Sequence, residues 1–164
     1  LKGQYVRRLD SMGRCIMPPQ LRRHPIWCNK LVAMLNPNGC ICIYSEEIWE
    51  KYVNSFPIGD IFSDEESHKK LLWVYAESFS VSIDDKERIQ LPEVLLEKLN
   101  LEVDSDVVII GCRNHIEIWN KTRLDEFRGS YPEKHKEAMK YNPLAAQAPA
   151  NKPEQGNEQV QGQG

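Results

Sequence analysis

A stretch of fourteen residues near the start of the chain occurs twice, with changes. The first copy, YVRRLDSMGRCIMP, covers residues 5–18 and the second, FSVSIDDKERIQLP, covers residues 79–92, so equivalent positions lie 74 residues apart. The similarity continues, after one added residue, between LVAMLNPNGCICIYSEEIWEKY from Leu31 and DVVIIGCRNHIEIWNKTRLDEF from Asp106. Because an internal repeat decides the whole architecture, the sequence predicts two copies of one small unit.

Each copy predicts the same order of elements: a strand, a tight turn, a return strand, a short helix, a β-hairpin and a capped helix. In the second copy Phe79, Val81 and Ile83 alternate with polar residues, which is typical of a strand with one face in the core. The mixture of helices and hairpins indicates an α+β fold. Each half is near the size at which a core of its own is marginal, so we expect the two halves to share one core.

Four segments are predicted along the chain. We expect a first unit over residues 3–61, a linking helix over 62–77, a second unit over 78–130 and a mostly disordered tail over 131–164. The sequence Ser63-Asp64-Glu65-Glu66 is typical of a capping box and predicts the start of the linking helix. The tail has few large apolar residues, so it cannot offset the entropy that ordering would cost.

Charge is unevenly distributed along the chain. The net charge of −3, taken alone, argues against nucleic acid as a partner. Residues 1–30, however, contain seven lysines and arginines against a single acidic residue, which predicts a basic surface on an acidic body. No apolar run is long enough to span a bilayer, and no signal-peptide pattern opens the chain. We therefore expect a cytoplasmic protein that has no membrane partner.

No residue pattern predicts catalysis, a cofactor or a metal site. The five cysteines include no C-x-x-C pair, and we expect them to be reduced thiols packed as small apolar side chains. The four histidines share no common spacing, and the chain has neither a phosphate-binding glycine loop nor a G-x-S-x-G motif. The sequence therefore favours a binding protein over an enzyme and predicts no small-molecule substrate.

The duplicated Asp-x-x-x-Arg turn carries the clearest functional signal. A single copy would be an ordinary hairpin turn, but Arg14 and Arg88 recur at equivalent exposed positions with no evident packing reason. Two such turns related by pseudo-symmetry would present two guanidinium groups on one surface, where each could bind a guanine edge while nearby basic residues contact phosphates. The candidate DNA-binding residues are Arg8, Asp10, Gly13, Arg14, Arg22, Arg23, Asp84, Lys86 and Arg88.

The same residues also allow a different function. Arginine-bearing turns could contact an acidic protein, which would make the chain a structural or protein-binding module. Salt-dependent binding to repeated DNA sequences, absent for scrambled DNA, would separate the two functions.

The chain resembles the MraZ family of bacterial regulators over about residues 3 to 130. The resemblance rests on the order and spacing of four stretches, which are GQYVRRLDSMGRCIMPPQLR, YSEEIWEKY, SIDDKERIQLP and IEIWNKTRLDEF. It implies two tandem SpoVT-AbrB units that form a pseudo-twofold, swapped-hairpin β-barrel with peripheral helices. It further implies a ring-shaped homo-oligomer, associated with the nucleoid, that binds direct repeats in double-stranded promoter DNA. The implied target is the division and cell-wall gene cluster, including the regulator's own promoter, and the implied effect is repression.

The DNA-binding motif of the family corresponds to residues 10–14 and 84–88 of this chain. The first copy has the expected glycine, Gly13, whereas the second has Glu87 at the equivalent position. A glutamate would put negative charge beside the DNA and must tolerate the backbone of the turn. We therefore expect the second turn to bind DNA more weakly than the first, or mainly to shape the barrel.

Overall fold

The computed structural model describes residues 1–24, 30–57, 59 and 62–129. The first copy contains β1 (Gln4–Arg8), β2 (Arg14–Ile16), α1 (Pro19–Arg22), β3 (Leu31–Asn36), β4 (Cys40–Ser45) and α2 (Glu46–Asn54). After α3 (Glu65–Ala76), the second contains β5 (Ser78–Val81), β6 (Arg88–Gln90), α4 (Glu93–Lys98), β7 (Asp106–Cys112), β8 (His115–Asn120) and α5 (Lys121–Arg128). The same order of elements thus occurs twice, and the α+β class is confirmed. The tail predicted to be disordered lies outside the described residues.

The longer helices begin where polar side chains satisfy their first backbone N–H groups. The Oγ of Ser45 accepts from Ile48 N at 3.3 Å, and two glutamates occupy the first turn of α2, where the helix dipole favours negative charge. The linking helix α3 begins after Asp64, whose Oδ1 accepts from Glu66 N at 3.2 Å. The cap of α3 is therefore Asp64 rather than Ser63, one residue later than the capping-box pattern predicted. None of the described helices is long and apolar enough to cross a bilayer.

Six antiparallel strands form one sheet in the order β1-β7-β8-β4-β3-β5. The first strand of each copy pairs with the third strand of the other copy, since β1 pairs with β7 and β5 pairs with β3. The two copies meet in the middle, where β4 pairs with β8. The pairing therefore interleaves the copies, and neither has a sheet of its own.

The sheet is open, so the closed barrel that the resemblance implied is a prediction the structure corrects. Strands β1 and β5 are its two edges, and within the described residues they do not pair with each other. Each of them ends at an Asp-x-x-x-Arg turn, after which the chain leaves the sheet. The return strands β2 and β6 then pair with each other in a separate two-stranded ribbon, with Cys15 opposite Ile89. Among the described residues, this departure leaves each edge strand paired on one side only.

The hydrophobic core lies between the sheet, the ribbon and the short helices α1 and α4. Equivalent residues of the two copies occupy it together, and none of them is more than 1% exposed: Leu21 with Leu95, and Met17 with Leu91. Residues Leu1–Arg128 form one compact unit. Burial of matched apolar side chains from both copies in one cluster holds the two turns in a fixed relation to each other.

Candidate nucleic-acid interface

The first Asp-x-x-x-Arg turn is held closed by its aspartate. Asp10 Oδ1 accepts from the backbone N–H groups of Met12 and Arg14, each at 2.9 Å, and its Oδ2 accepts from Arg14 Nε at 2.8 Å. Two backbone bonds complete the turn, from Gly13 N to Asp10 O at 2.9 Å and from Asp10 N to Arg14 O at 2.8 Å. The guanidinium is thereby fixed through Nε, while its terminal amino groups remain chemically able to donate to a ligand.

The second turn repeats this bonding with different residues in its middle. Asp84 Oδ1 accepts from the backbone N–H groups of Lys86 and Arg88, each at 2.9 Å, and its Oδ2 accepts from Arg88 Nε at 2.8 Å. The backbone bonds from Glu87 N to Asp84 O and from Asp84 N to Arg88 O are 2.8 and 2.9 Å long. Since only the aspartate and the arginine are common to the two turns, those two residues specify the geometry.

These bonds also determine the charge state of the aspartates. The backbone N–H of Arg14, followed by its side chain, lowers the pKa of Asp10 below the ordinary value for a carboxyl group. The Arg88 side chain, followed by its backbone N–H, lowers the pKa of Asp84 in the same way. Both carboxylates therefore stay charged at neutral pH, and the clamp on each arginine persists across the physiological range.

The two turns lie side by side. The N–H of Leu91 donates to Gly13 O at 3.1 Å, and reciprocally the N–H of Met17 donates to Glu87 O at 3.0 Å. Arg88 Nη1 also lies 3.9 Å from the Oδ2 of Asp10, in the other turn. The turns thus share one surface, and the arginine of the second turn reaches the aspartate of the first.

The fourth position of each turn has a left-handed backbone, with φ of 71° at Gly13 and 61° at Glu87. Glutamate at this φ costs roughly 1–2 kcal/mol. Gly13 faces Leu96 of the second copy, and a Cβ on Gly13 would lie only 2.8 Å from Leu96 Cδ1. Glu87 instead forms an ion pair with Arg22 of α1.

Arg22 and Leu96 are themselves equivalent in the repeat, since 96 lies 74 positions after 22. The first turn therefore combines glycine with leucine, and the second combines glutamate with arginine. Leu96 occupies the space beside Gly13, where a larger side chain would collide with it, and the positive charge of Arg22 balances the negative charge of Glu87. Because Arg22 is only 19% exposed and bound to Glu87, it neutralises that carboxylate, and its charge is less accessible to DNA than sequence reasoning expected.

This chain is similar to a family of known proteins and to proteins named as transcriptional regulators. The model of the family described as "MraZ protein, putative antitoxin-like" matches residues 1–70 and 74–139. The chain belongs to the MraZ family. Three relatives carry the name transcriptional regulator MraZ. The protein from Lactobacillus helveticus is 31% identical over 128 residues, which cover 76% of this chain and 84% of the relative. That from Halothermothrix orenii is 29% identical over 138 residues, covering 82% and 91% of the two chains. That from Acetivibrio thermocellus is 29% identical over 130 residues, covering 77% and 85%.

The remaining predicted site residues of this MraZ family member lie around the paired turns. Arg8 ends β1, two residues before the first turn, and is exposed opposite Asp106. Arg23 is exposed at the end of α1, and Lys86 is exposed at the tip of the second turn. The side chains of Arg14 and Arg88 are partly exposed, at 29% and 22%. A ligand at this surface can therefore reach both arginines.

Sequence reasoning missed one residue of this surface in the MraZ chain. Gln90 lies on β6, and its Nε2 donates to Met12 O in the first turn at 2.6 Å, so it ties the two turns together. The equivalent residue in the first copy is Ile16, so the repeat gave no signal for Gln90. Only the pairing of β2 with β6, which brings residue 90 opposite residue 14, reveals its position.

Proposed function

We propose that this chain is a transcription regulator that binds double-stranded DNA through its two Asp-x-x-x-Arg turns. The observation that carries the proposal is the adjacency of two turns with the same bonding, each presenting a partly exposed arginine. The names of the relatives support regulation of transcription. No second set of residues with a comparable arrangement competes with the turns in the described part of the chain.

In the proposed mechanism, each turn holds one guanidinium group in a fixed orientation. A guanidinium can donate two parallel bonds to the O6 and N7 atoms of guanine in the major groove. The carboxylates of Asp10 and Asp84 orient Arg14 and Arg88 before DNA arrives, which lowers the entropy lost on binding. Arg8, Arg23 and Lys86 contact phosphates and supply affinity that depends on salt. Arg22 contributes less because it is paired with Glu87.

Assembly into a ring would allow DNA binding even though the net charge of each chain is −3. Three neighbouring apolar residues of α3 are well exposed, Leu72 at 58%, Trp73 at 39% and Tyr75 at 54%, which supports a contact between copies on this helix. Several copies in one orientation would each place a pair of turns on successive direct repeats. Modest individual contacts then add through effective concentration.

The finer features of the proposal follow the family resemblance. We propose that the protein binds the promoter of the division and cell-wall gene cluster, which includes its own gene, and represses it. We also propose that it is cytoplasmic and nucleoid-associated and has no enzymatic activity. The interleaved pairing of β1 with β7 and β5 with β3 supports a swapped-hairpin relation between units at 3–61 and 78–130, joined by residues 62–77.

Binding of the full chain to two DNA fragments tests the proposal. One fragment carries the direct repeats of the chain's own promoter, and the other has the same composition in scrambled order. We expect a gel shift with the repeats that weakens steeply as salt is raised, because counterions are released from the phosphates. Equal affinity for both fragments would contradict sequence-specific binding, and the absence of a shift with either fragment would favour the alternative, a module whose turns contact an acidic protein.

A further inference from the structure

Five residues with metal-binding side chains come together on the face of the main sheet that packs against α2 and α5. They lie on three adjacent strands and are Cys40 and Cys42 of β4, Cys112 of β7, and His115 and Glu117 of β8. Strand register explains the grouping, because Cys42 is opposite Glu117 and Cys112 is opposite His115. Cys40 and Cys42 share a face because they are two residues apart on one strand.

The cluster consists of two groups of three ligands that share Glu117, and the distances within each group are close to those between the ligands of one tetrahedral ion. The ligand atoms of Cys40, Cys42 and Glu117 all lie within 4.8 Å of one another, as do those of Cys112, His115 and Glu117. The two sulfur atoms of Cys40 and Cys42 are 3.9 Å apart, and His115 Nε2 lies 3.3 Å from Glu117 Oε1. For zinc bonds of about 2.3 Å to sulfur and about 2.0 Å to nitrogen or oxygen, tetrahedral geometry separates neighbouring ligands by about 3.8 and 3.3 Å.

Neighbouring side chains hold three of these groups in orientations suited to a metal. His115 Nδ1 lies 3.1 Å from Asn114 Oδ1, and when Nδ1 donates to this oxygen the lone pair is on Nε2, the nitrogen that faces Glu117. Trp119 Nε1 donates to Glu117 Oε2 at 2.9 Å and leaves Oε1 towards the histidine. Asn36 Nδ2 donates to the sulfur of Cys42 at 3.5 Å. Such outer partners are typical of metal sites, whose ligands they orient.

The position of the cluster is suited to both retention and access. Cys40 and Cys42 are fully buried, whereas Cys112, His115 and Glu117 are half-buried. Water is therefore excluded from two sulfur ligands, while an ion can enter from the side of the histidine. The cluster also spans β4 and β8, where the two copies of the repeat meet.

We propose that this cluster binds one thiophilic divalent cation, of which Zn²⁺ is the probe of choice, through Cys40, Cys42, His115 and Glu117, with Cys112 as an alternative sulfur ligand. The ion would connect β4 of the first copy to β8 of the second and would stabilise the folded chain, since it would bind the assembled ligands more tightly than the unfolded chain. The sequence alone predicts no metal site, because the ligands come from both copies and only strand register brings them together.

Cobalt and zinc titrations of the full-length chain, reduced beforehand with a phosphine, test this site. We expect one Co²⁺ per chain, with the charge-transfer bands of cobalt–thiolate bonds and the visible bands of a tetrahedral ion. Zinc affinity, measured by competition with a coloured chelator, should fall at least tenfold in Cys42→Ser and in His115→Gln. Loss of a residue that only orients a ligand typically costs roughly 10–100-fold, so loss of a direct ligand should cost no less. Zn²⁺ should also raise the Tm of the wild type.

A matched variant controls for nonspecific thiol binding. Cys15 is as buried as Cys42 but lies in a different hydrophobic cluster, the one that contains Leu21 and Leu95, so Cys15→Ala should leave the zinc affinity unchanged. Should Cys42→Ser prove poorly folded by circular dichroism, Asn114→Ala, which alters an exposed residue, should still weaken zinc binding about tenfold. The proposal is overturned by an absence of thiolate bands, by unchanged affinity in His115→Gln, or by an equal loss in Cys15→Ala.

Discussion

Replacing Arg14 by alanine should abolish the proposed binding to promoter repeats and leave the fold intact. The side chain is 29% exposed, and its described bond is to Asp10 within the same turn, so its loss removes no core contact. One two-pronged contact to guanine is worth about 1–3 kcal/mol, or about 5- to 150-fold in affinity, and the loss recurs at every copy that touches the same DNA. Gel shifts at moderate salt measure the effect.

Two further arginine variants complete this experiment. Arg88→Ala should weaken binding less than Arg14→Ala, because the exposed Glu87 side chain, although Arg22 offsets its charge, occupies space beside Arg88 where the first turn has a glycine. Arg128→Ala is the matched control, since it removes the same charge at the end of α5, where the side chain binds Gln4 Oε1 at 2.8 Å. Normal binding by Arg14→Ala would show that the turn does not read DNA, and an equal or larger loss in Arg88→Ala would contradict the role given to Glu87.

Leu95→Ala should destabilise both copies of the repeat together. Leu95 of α4 is completely buried in the cluster that also contains Leu21 and Met17 of the first copy. Leucine-to-alanine changes at such sites cost about 2–5 kcal/mol because a cavity remains. Urea unfolding followed by circular dichroism and tryptophan fluorescence should show one transition, shifted to lower urea with an unchanged slope.

The neighbouring residue provides the control for this prediction. Val94 precedes Leu95 on the same helix but is 38% exposed, so Val94→Ala should change the unfolding free energy far less. Two separate transitions, with only the second copy destabilised by Leu95→Ala, would mean that the copies do not share a core.

Features that both copies of the repeat share could be predicted from the sequence. Features that depend on the register of paired strands could not. The repeat paired Asp10 with Asp84 and Arg14 with Arg88, which is sufficient to predict two equivalent turns on one surface. Local polar residues predicted the start of the linking helix to within one residue. The open sheet was not predicted, because the path of the chain after each turn depends on the pairing of β2 with β6 rather than on local pattern.

The same distinction explains the residues that were interpreted incompletely. The sequence shows Glu87 as a departure from glycine, but it predicts a DNA contact for its partner Arg22 because nothing local connects α1 with the second turn. The repeat contained the signal, since Leu96 occupies the position equivalent to Arg22 and faces Gly13. Likewise the cysteines on β4 and the histidine on β8 are distant in sequence, and only the register of the central strands brings them together.

Photo-crosslinking from the tips of the two turns tests the central claim most directly. Met12 is 62% exposed at the tip of the first turn, and Lys86, its equivalent in the repeat, is exposed at the tip of the second. A benzophenone amino acid in place of Met12 or Lys86 should crosslink to promoter DNA. The same amino acid in place of Phe127, which is 54% exposed on α5, should not. Crosslinks from both tips are the predicted result, and a failure of both tips under conditions in which the DNA is bound would contradict the account.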